Sequence, residues 1–184
     1  MNRLIAAVVL MAGMLCGQIG HPAVNADSAI VQDFQKRVAA YLQLRKSVES
    51  NLTKLKSTPS HEKISHHENE LGRAVREARK NARPGDIFAP EIAMEIRRLI
   101  AMAVDQGDGD HIGQSLRHAE PVQLHLEVNN SYPEHVPLQS TPPSLLENLP
   151  KLPPEIEYRI TGRDLVLLDA KANLIVDVVR GVFS

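Results

Sequence analysis

His66, His67 and Glu70 fall within about one helical turn of one another, and imidazoles with a carboxylate at that spacing can share a divalent metal. A zinc-peptidase helix would need His-Glu-x-x-His. Here His61-Glu62 is followed by Ser65, and His66 comes one place too late. A polar helix face in a His-rich stretch accounts for the same residues, so no metal is expected. Arg73, Arg76, Lys80 and Arg83 recur at steps of three and four, which predicts one basic stripe on a helix. Such a stripe suits an anionic partner: a lipid, an envelope polymer or a nucleic acid. Glu70 and Glu77 interleave and no aromatic lies among the four for base stacking, so ion pairs on a solvated face explain it more simply.

Other chemistries fare worse. Asp108-Gly109-Asp110-His111-Ile112-Gly113 carries part of a calcium loop, but Ile112 and Ala119 stand where oxygen ligands are needed. A helix-breaking turn with Asp110 as a cap explains the run. No Gly-x-Ser-x-Gly nucleophile turn and no phosphate-cradling glycine loop occurs. Asp164 and Asp169 read as turn residues, and Asp177 sits in a terminal strand. Paired carboxylates of glycosidase type depend on three-dimensional placement and stay open. Cys16 is the only cysteine, so without the first 26 residues there is no thiolate nucleophile, Cys-ligated zinc, iron–sulfur cluster or disulfide. No cofactor is expected.

The chain of 184 residues opens on Met1-Asn2-Arg3, a twelve-residue run from Leu4 to Leu15 broken only by Gly13, and then Val24-Asn25-Ala26. A basic start, a short apolar run and a small residue at the end are the anatomy of a secretory signal peptide, with cleavage expected near Ala26 and a mature start at Asp27. The run is too short to span a membrane. Lipid modification at Cys16 is a lesser alternative, because Leu15 is not the small residue that processing prefers. Removing residues 1–26 leaves 20 basic against 22 acidic residues. That near-neutrality argues against a nucleic-acid partner. What remains suits one domain, residues 27–184.

The elements that must carry these residues can be placed by periodicity. Ile30, Phe34, Val38, Tyr41, Leu44, Val48, Leu52 and Leu55 keep a spacing near 3.6 residues, which predicts a first helix with Ser28 as its cap. A second helix is expected after Ser60, with Ile64, Leu71, Val75, Ala78 and Ala82 on one face and its end at Arg83-Pro84-Gly85. Together they predict an antiparallel helical hairpin. Pro90 and Glu91 open a third helix with Ile92, Ile96, Leu99, Ile100 and Ala103 inward, and a short fourth is expected at 112–119. Alternation at 122–128 predicts a strand. A segment at 132–155 with seven prolines should cover the face of the sheet away from the helices, with one helical turn at 144–149. Strands are expected at 156–161, 164–169 and 173–179, the first two joined by a two-residue type II′ turn at Gly162-Arg163. Helices at 27–119 and then strands at 120–184, mostly antiparallel, give an α+β fold.

Two stretches carry a resemblance. Residues 85–91 read Gly-Asp-Ile-Phe-Ala-Pro-Glu. The ending reads Tyr158-Arg159-Ile160, then Gly-Arg-Asp-Leu-Val-Leu-Leu-Asp at 162–169 and Ala-Asn-Leu-Ile-Val-Asp at 172–177. The chain resembles a group of uncharacterised exported bacterial proteins that share both, from the second helix onward. The resemblance implies a bacterial envelope or extracellular location and brings no catalytic residue. Ala89 stands where the stretch would carry a Thr cap. Two functions are therefore expected. One is a non-enzymatic envelope or secreted module, binding a protein, peptide or anionic envelope polymer, or serving structurally, with a sheet edge able to accept a strand. The other is a hydrolase with a carboxylate or His site between the third helix and the sheet.

Overall fold

The computed structural model describes residues 26–104, 126–133 and 143–183. In chain order these form α1 (Ala26–Ser50), α2 (His61–Ala78), α3 (Pro90–Ala103), a short α4 (Pro143–Asn148), and the strands β1 (Glu157–Thr161), β2 (Asp164–Asp169) and β3 (Leu174–Val179). The fold is α+β. α1 buries Phe34, Val38 and Tyr41 and half-buries Ile30, Leu44 and Val48. It is already helical at Ala26, so Ser28 lies inside it instead of capping it, its Oγ accepting from Gln32 Nε2. It also ends sooner than the apolar stripe. The N–H groups of Asn51 and Leu52 bond back to Val48 and Glu49 in the tighter i→i−3 pattern, which closes the helix and leaves Leu55 40% exposed.

α2 starts as expected, with Ser60 Oγ accepting from the Lys63 N–H at 3.4 Å. Its end at Ala78 corrects the expected run to Arg83. Asn129 Nδ2 donates to the carbonyls of Arg76 and Arg79, both at 3.0 Å, and stops the helix from outside. Ala78 is therefore exposed, while Leu71 and Val75 are buried. Gly72 is also buried, because α2 touches the turn after β2 there: a methyl group at this position would overlap the Ala172 carbonyl oxygen. α3 begins at Pro90 with Ala89 as a cap that makes no side-chain bond, and Ile92, Ile96, Ile100 and Ala103 form its buried face.

The sheet has the order β1-β2-β3, antiparallel throughout. Thr161 pairs with Asp164 across the Gly162-Arg163 turn, and Gly162 takes a φ of +58°, which a type II′ turn requires at its first position. β2 is the interior strand and is buried on both faces. Leu165 and Leu167 face the helices together with Tyr158, Ile160, Leu174 and Val176. Val166, Leu168, Ile175 and Val178 face the other way.

Two expectations for this half need correction. Of the strand expected at 122–128, only 126–128 fall on described residues, and they are not a strand. Asn129, at φ +69°, turns the chain out of the extended run. Residues 129–131 then join the outer side of β3 through Asn129 N–H to Ile175 O, Ile175 N–H to Asn130 O and a bridge between Ser131 and Leu174. The described sheet therefore has three strands. The described residues of the proline-rich segment, expected to cover the face away from the helices, lie mostly on the helix side. Its Leu145, Leu149 and Leu152 join the helix-side core because α4 packs on α3, and of its described residues only Tyr132 reaches the other face, beside Leu126 and Val128. The helix expected at 112–119, the Asp108–Gly113 run, and 134–142 lie outside the described residues.

Candidate functional site

Asp177 is fully buried in an otherwise apolar strand. Strict alternation would turn it away from the helices, since Val176 already faces them. The ladder slips instead: Leu168 pairs with Ile175 and Leu167 with Asp177, so Val176 is the extra residue of a bulge. The slip brings the Asp177 carboxylate to the helix side. Oδ2 accepts from the N–H groups of Ile87 and Phe88, both at 2.8 Å, while Oδ1 accepts from Gly85 at 3.1 Å and Val178 at 2.8 Å. Four donors saturate it. Residues 85–88 and the last strand thus meet at one carboxylate, which fixes the entry to α3 in place of a side-chain cap. It is the kind of acid a hydrolase site between α3 and the sheet would need, yet all its acceptor capacity is taken by backbone.

Asp169 is the second fully buried acid, and it is held by side chains. Oδ1 accepts from the Ala172 N–H at 3.0 Å, the turn role expected of it. Oδ2 accepts from Tyr41 Oη at 2.7 Å and from Arg45 Nε at 2.6 Å. Burial, and then the Asp169 charge, push the Tyr41 hydroxyl far above its ordinary range, so it stays a donor. Arg45 reaches on to Glu49, which also bonds Lys171 Nζ at 2.6 Å. That Lys171 bond holds the Glu49 carboxyl below its ordinary range. Arg79 lies 5.1 Å over the Tyr41 ring and donates to the carbonyl of Val176, the bulged residue, at 3.0 Å. Burial lowers the Arg79 guanidinium. Asp164 does not serve its own turn as expected; it holds Arg180 and the Gly181 N–H.

The residues singled out from sequence separate. Arg73 and Arg76 lie on α2, but Lys80 and Arg83 come after its end, so the four do not form one helical stripe. Arg76 donates to Ser131 Oγ at 2.7 Å, Lys80 faces Glu77 at 3.8 Å, and the Arg83 N–H bonds Asp86. Arg73 is exposed. His66, His67 and Glu70 do come together, on one wall of an open cleft of about 530 Å³. His66 Nδ1 sits 3.7 Å from Glu70 Oε2, and the His66 side chain is 74% exposed. Among the described residues no three His, Cys, Asp or Glu side chains converge as a metal site would need. The cleft's other residues are Thr53, Lys54, Leu55 and Lys56 from the connection after α1, and Glu62 and Lys63 from the first turn of α2.

Periodicity and motif spacing do not bring Tyr41, Arg45 and Arg79 together. A signal exists for the first two: Arg45 stands one turn after Tyr41, beside the apolar stripe of α1, and an arginine there needs an acid. For Arg79 nothing local distinguishes it from its exposed neighbours. Among the described residues no helix is long and apolar enough to cross a membrane. No family model, no curated protein and no solved structure matches the chain.

Proposed function

We propose that the chain is an exported bacterial protein, cleaved near Ala26, that works without catalysis as a binding or structural module of the envelope or of the secreted fraction. The address rests on the basic start, the twelve-residue apolar run and the Val24-Asn25-Ala26 site. The observation that carries the non-enzymatic reading is where the polar chemistry goes. Arg45, Thr161, Asp169 and Asp177, the buried polar side chains among the described residues, each bond to other parts of the fold. Lys54, Lys56 and Lys63, which have no ion-pair partner among the described residues, line an open cleft, where an external ligand reaches them. N-terminal sequencing of the protein recovered from cells should find a start at or near Asp27. A product beginning at a lipidated Cys16, or intact at Met1, overturns the cleavage. Affinity capture of the tagged protein, with mass spectrometry of co-purifying proteins and glycans, should return a specific partner. Turnover of an ester, glycoside or peptide panel would instead favour the hydrolase.

A further inference from the structure

We propose that the cleft between the α1–α2 connection and the first turns of α2 binds an anion carrying two or more phosphate groups. The inference deepens the reading of the chain as a binding module and rests on it for its biological setting. The cleft collects Lys54, Lys56 and Lys63 from two sides of an open volume of about 530 Å³, within the size range of small-ligand sites. Elsewhere some surface cations have acids, as Arg37 has Asp33, Arg98 has Glu95, Lys171 has Glu49 and Arg180 has Asp164, while others such as Lys36, Lys46 and Lys151 stand singly. The cleft is where three unpaired lysines line one concavity. Among the described residues none of the three cleft lysines is ion-paired. Two acids also line the cleft, Glu62 and Glu70, but Glu70 is turned to His66.

Three lysines stand against two carboxylates in the lining, and an excess of positive charge in a concave site attracts a multiply charged anion. Lysine binds phosphate as a point charge on a flexible stem, which tolerates the varied geometry of linked phosphates. The N-terminal end of α2 adds its positive dipole on the same side, since Glu62 and Lys63 lie in its first turn. Arg73, exposed, continues the face of Glu62, His66 and Glu70 by one more turn. The phosphates can come from a soluble polymer or from lipid headgroups, and these share the chemistry the cleft reads.

The test is calorimetric titration of the purified full chain with sodium tripolyphosphate, and co-sedimentation with vesicles of equimolar phosphatidylglycerol and phosphatidylcholine. The double variant Lys54→Gln/Lys63→Gln is compared with the charge-matched Lys36→Gln/Lys151→Gln. Denaturant midpoints confirm that both still fold. Tripolyphosphate binding that weakens with salt and falls about tenfold or more only in the cleft variant supports the site with a soluble source. Vesicle binding alone, lost in the same variant, supports it with a headgroup as the source. No binding to either probe, or equal loss in both variants, overturns it. Because phosphate binding in vitro does not depend on export, a chain that starts at Met1 in cells yet binds tripolyphosphate refutes only the address. A correctly processed chain that binds neither probe refutes only the cleft.

Discussion

The two halves of α2 show similar side chains put to different uses. Over residues 61–70 the helix presents Glu62, Lys63, His66 and Glu70 to an open cleft, and its closest polar contact there is a 3.7 Å approach of His66 to Glu70. Over residues 71–78, and just beyond, it lies against the sheet: Leu71 and Val75 enter the core, Gly72 touches the Ala172 carbonyl, Arg76 holds Ser131 and Arg79 spans Tyr41 and Val176. Burial, not residue type, separates the two sets of charges. Taking a guanidinium out of water is costly unless the fold compensates it, and Arg79 is compensated in part, by the Val176 carbonyl and the Tyr41 ring, with its Nη1 buried and unbonded. An ammonium left in water needs no such compensation and is free for a ligand.

The largest expected effects belong to the sheet on which the second half of α2 rests. Leu167 is fully buried at the centre of the interior strand, so Leu167→Ala should cost about 2–5 kcal/mol in denaturant unfolding. A loss below about 1 kcal/mol would make the terminal strands peripheral and undo the contrast. Asp177→Ala should come close behind, at about 3 kcal/mol, because it strands backbone donors at Ile87 and Phe88 that have no water to turn to. Asp177→Asn keeps one acceptor oxygen and should fall between that variant and the wild type. If the alanine and asparagine variants unfold alike, the carboxylate is not what fixes the entry to α3.

Gly72→Ala gives a smaller and sharper test of how closely α2 approaches the sheet. In a free helix the change would stabilise by about 1 kcal/mol. Here the added methyl meets a backbone carbonyl, which cannot rotate away as a side chain can. A net loss of about 1–3 kcal/mol is expected, the range for overpacking. A gain in the unfolding midpoint would mean that α2 stands off the Ala172 turn.

Legibility in the sequence divides in the same way, between local and distant causes. The helices on the stripes of Phe34, Leu71 and Ile96, the Ser60 cap, the Pro90 start and the Gly162 turn are local, and each is present. Expectation and structure part where a distant residue decides. α2 stops at Ala78 because Asn129, about fifty positions away, takes its last carbonyls. Asp177 faces the helices because of a one-residue slip between β2 and β3, and a strand's alternation carries no mark of a bulge. The leucines of the proline-rich segment read as a cover for the far face, but the described Leu145, Leu149 and Leu152 lie on the helix side, where α4 packs on α3, a contact no local pattern marks. For the candidate cleft, the α2 wall is legible through His66, His67 and Glu70. The wall bearing Lys54 and Lys56 depends on how the connection after α1 folds back, and there the sequence misleads, because the apolar spacing runs on to Leu55 while the helix closes at Ser50.

The smallest expected effect lies where the two kinds of charge meet. Glu49 bonds Lys171 at the surface and Arg45 at the edge of the core, and its carboxyl is held below the ordinary range, chiefly by the Lys171 hydrogen bond. A carboxyl whose folded pKa is lowered contributes stability that is present above its unfolded value of about 4.3 and is lost as pH falls through the folded one. The contribution of this pair should therefore be intact at neutral pH and vanish in acid. Lys171 is half exposed, so solvent and salt limit the gain, and Lys171→Ala should cost no more than about 0.5 kcal/mol at neutral pH. The difference between the variant and wild type should shrink as pH drops below about 4, where Glu49 takes up its proton in both. Urea midpoints for the two proteins across that range decide it. A loss above about 1.5 kcal/mol, or one that persists in acid, would show that Lys171 acts through the buried Asp169 turn and belongs with the charges of the core.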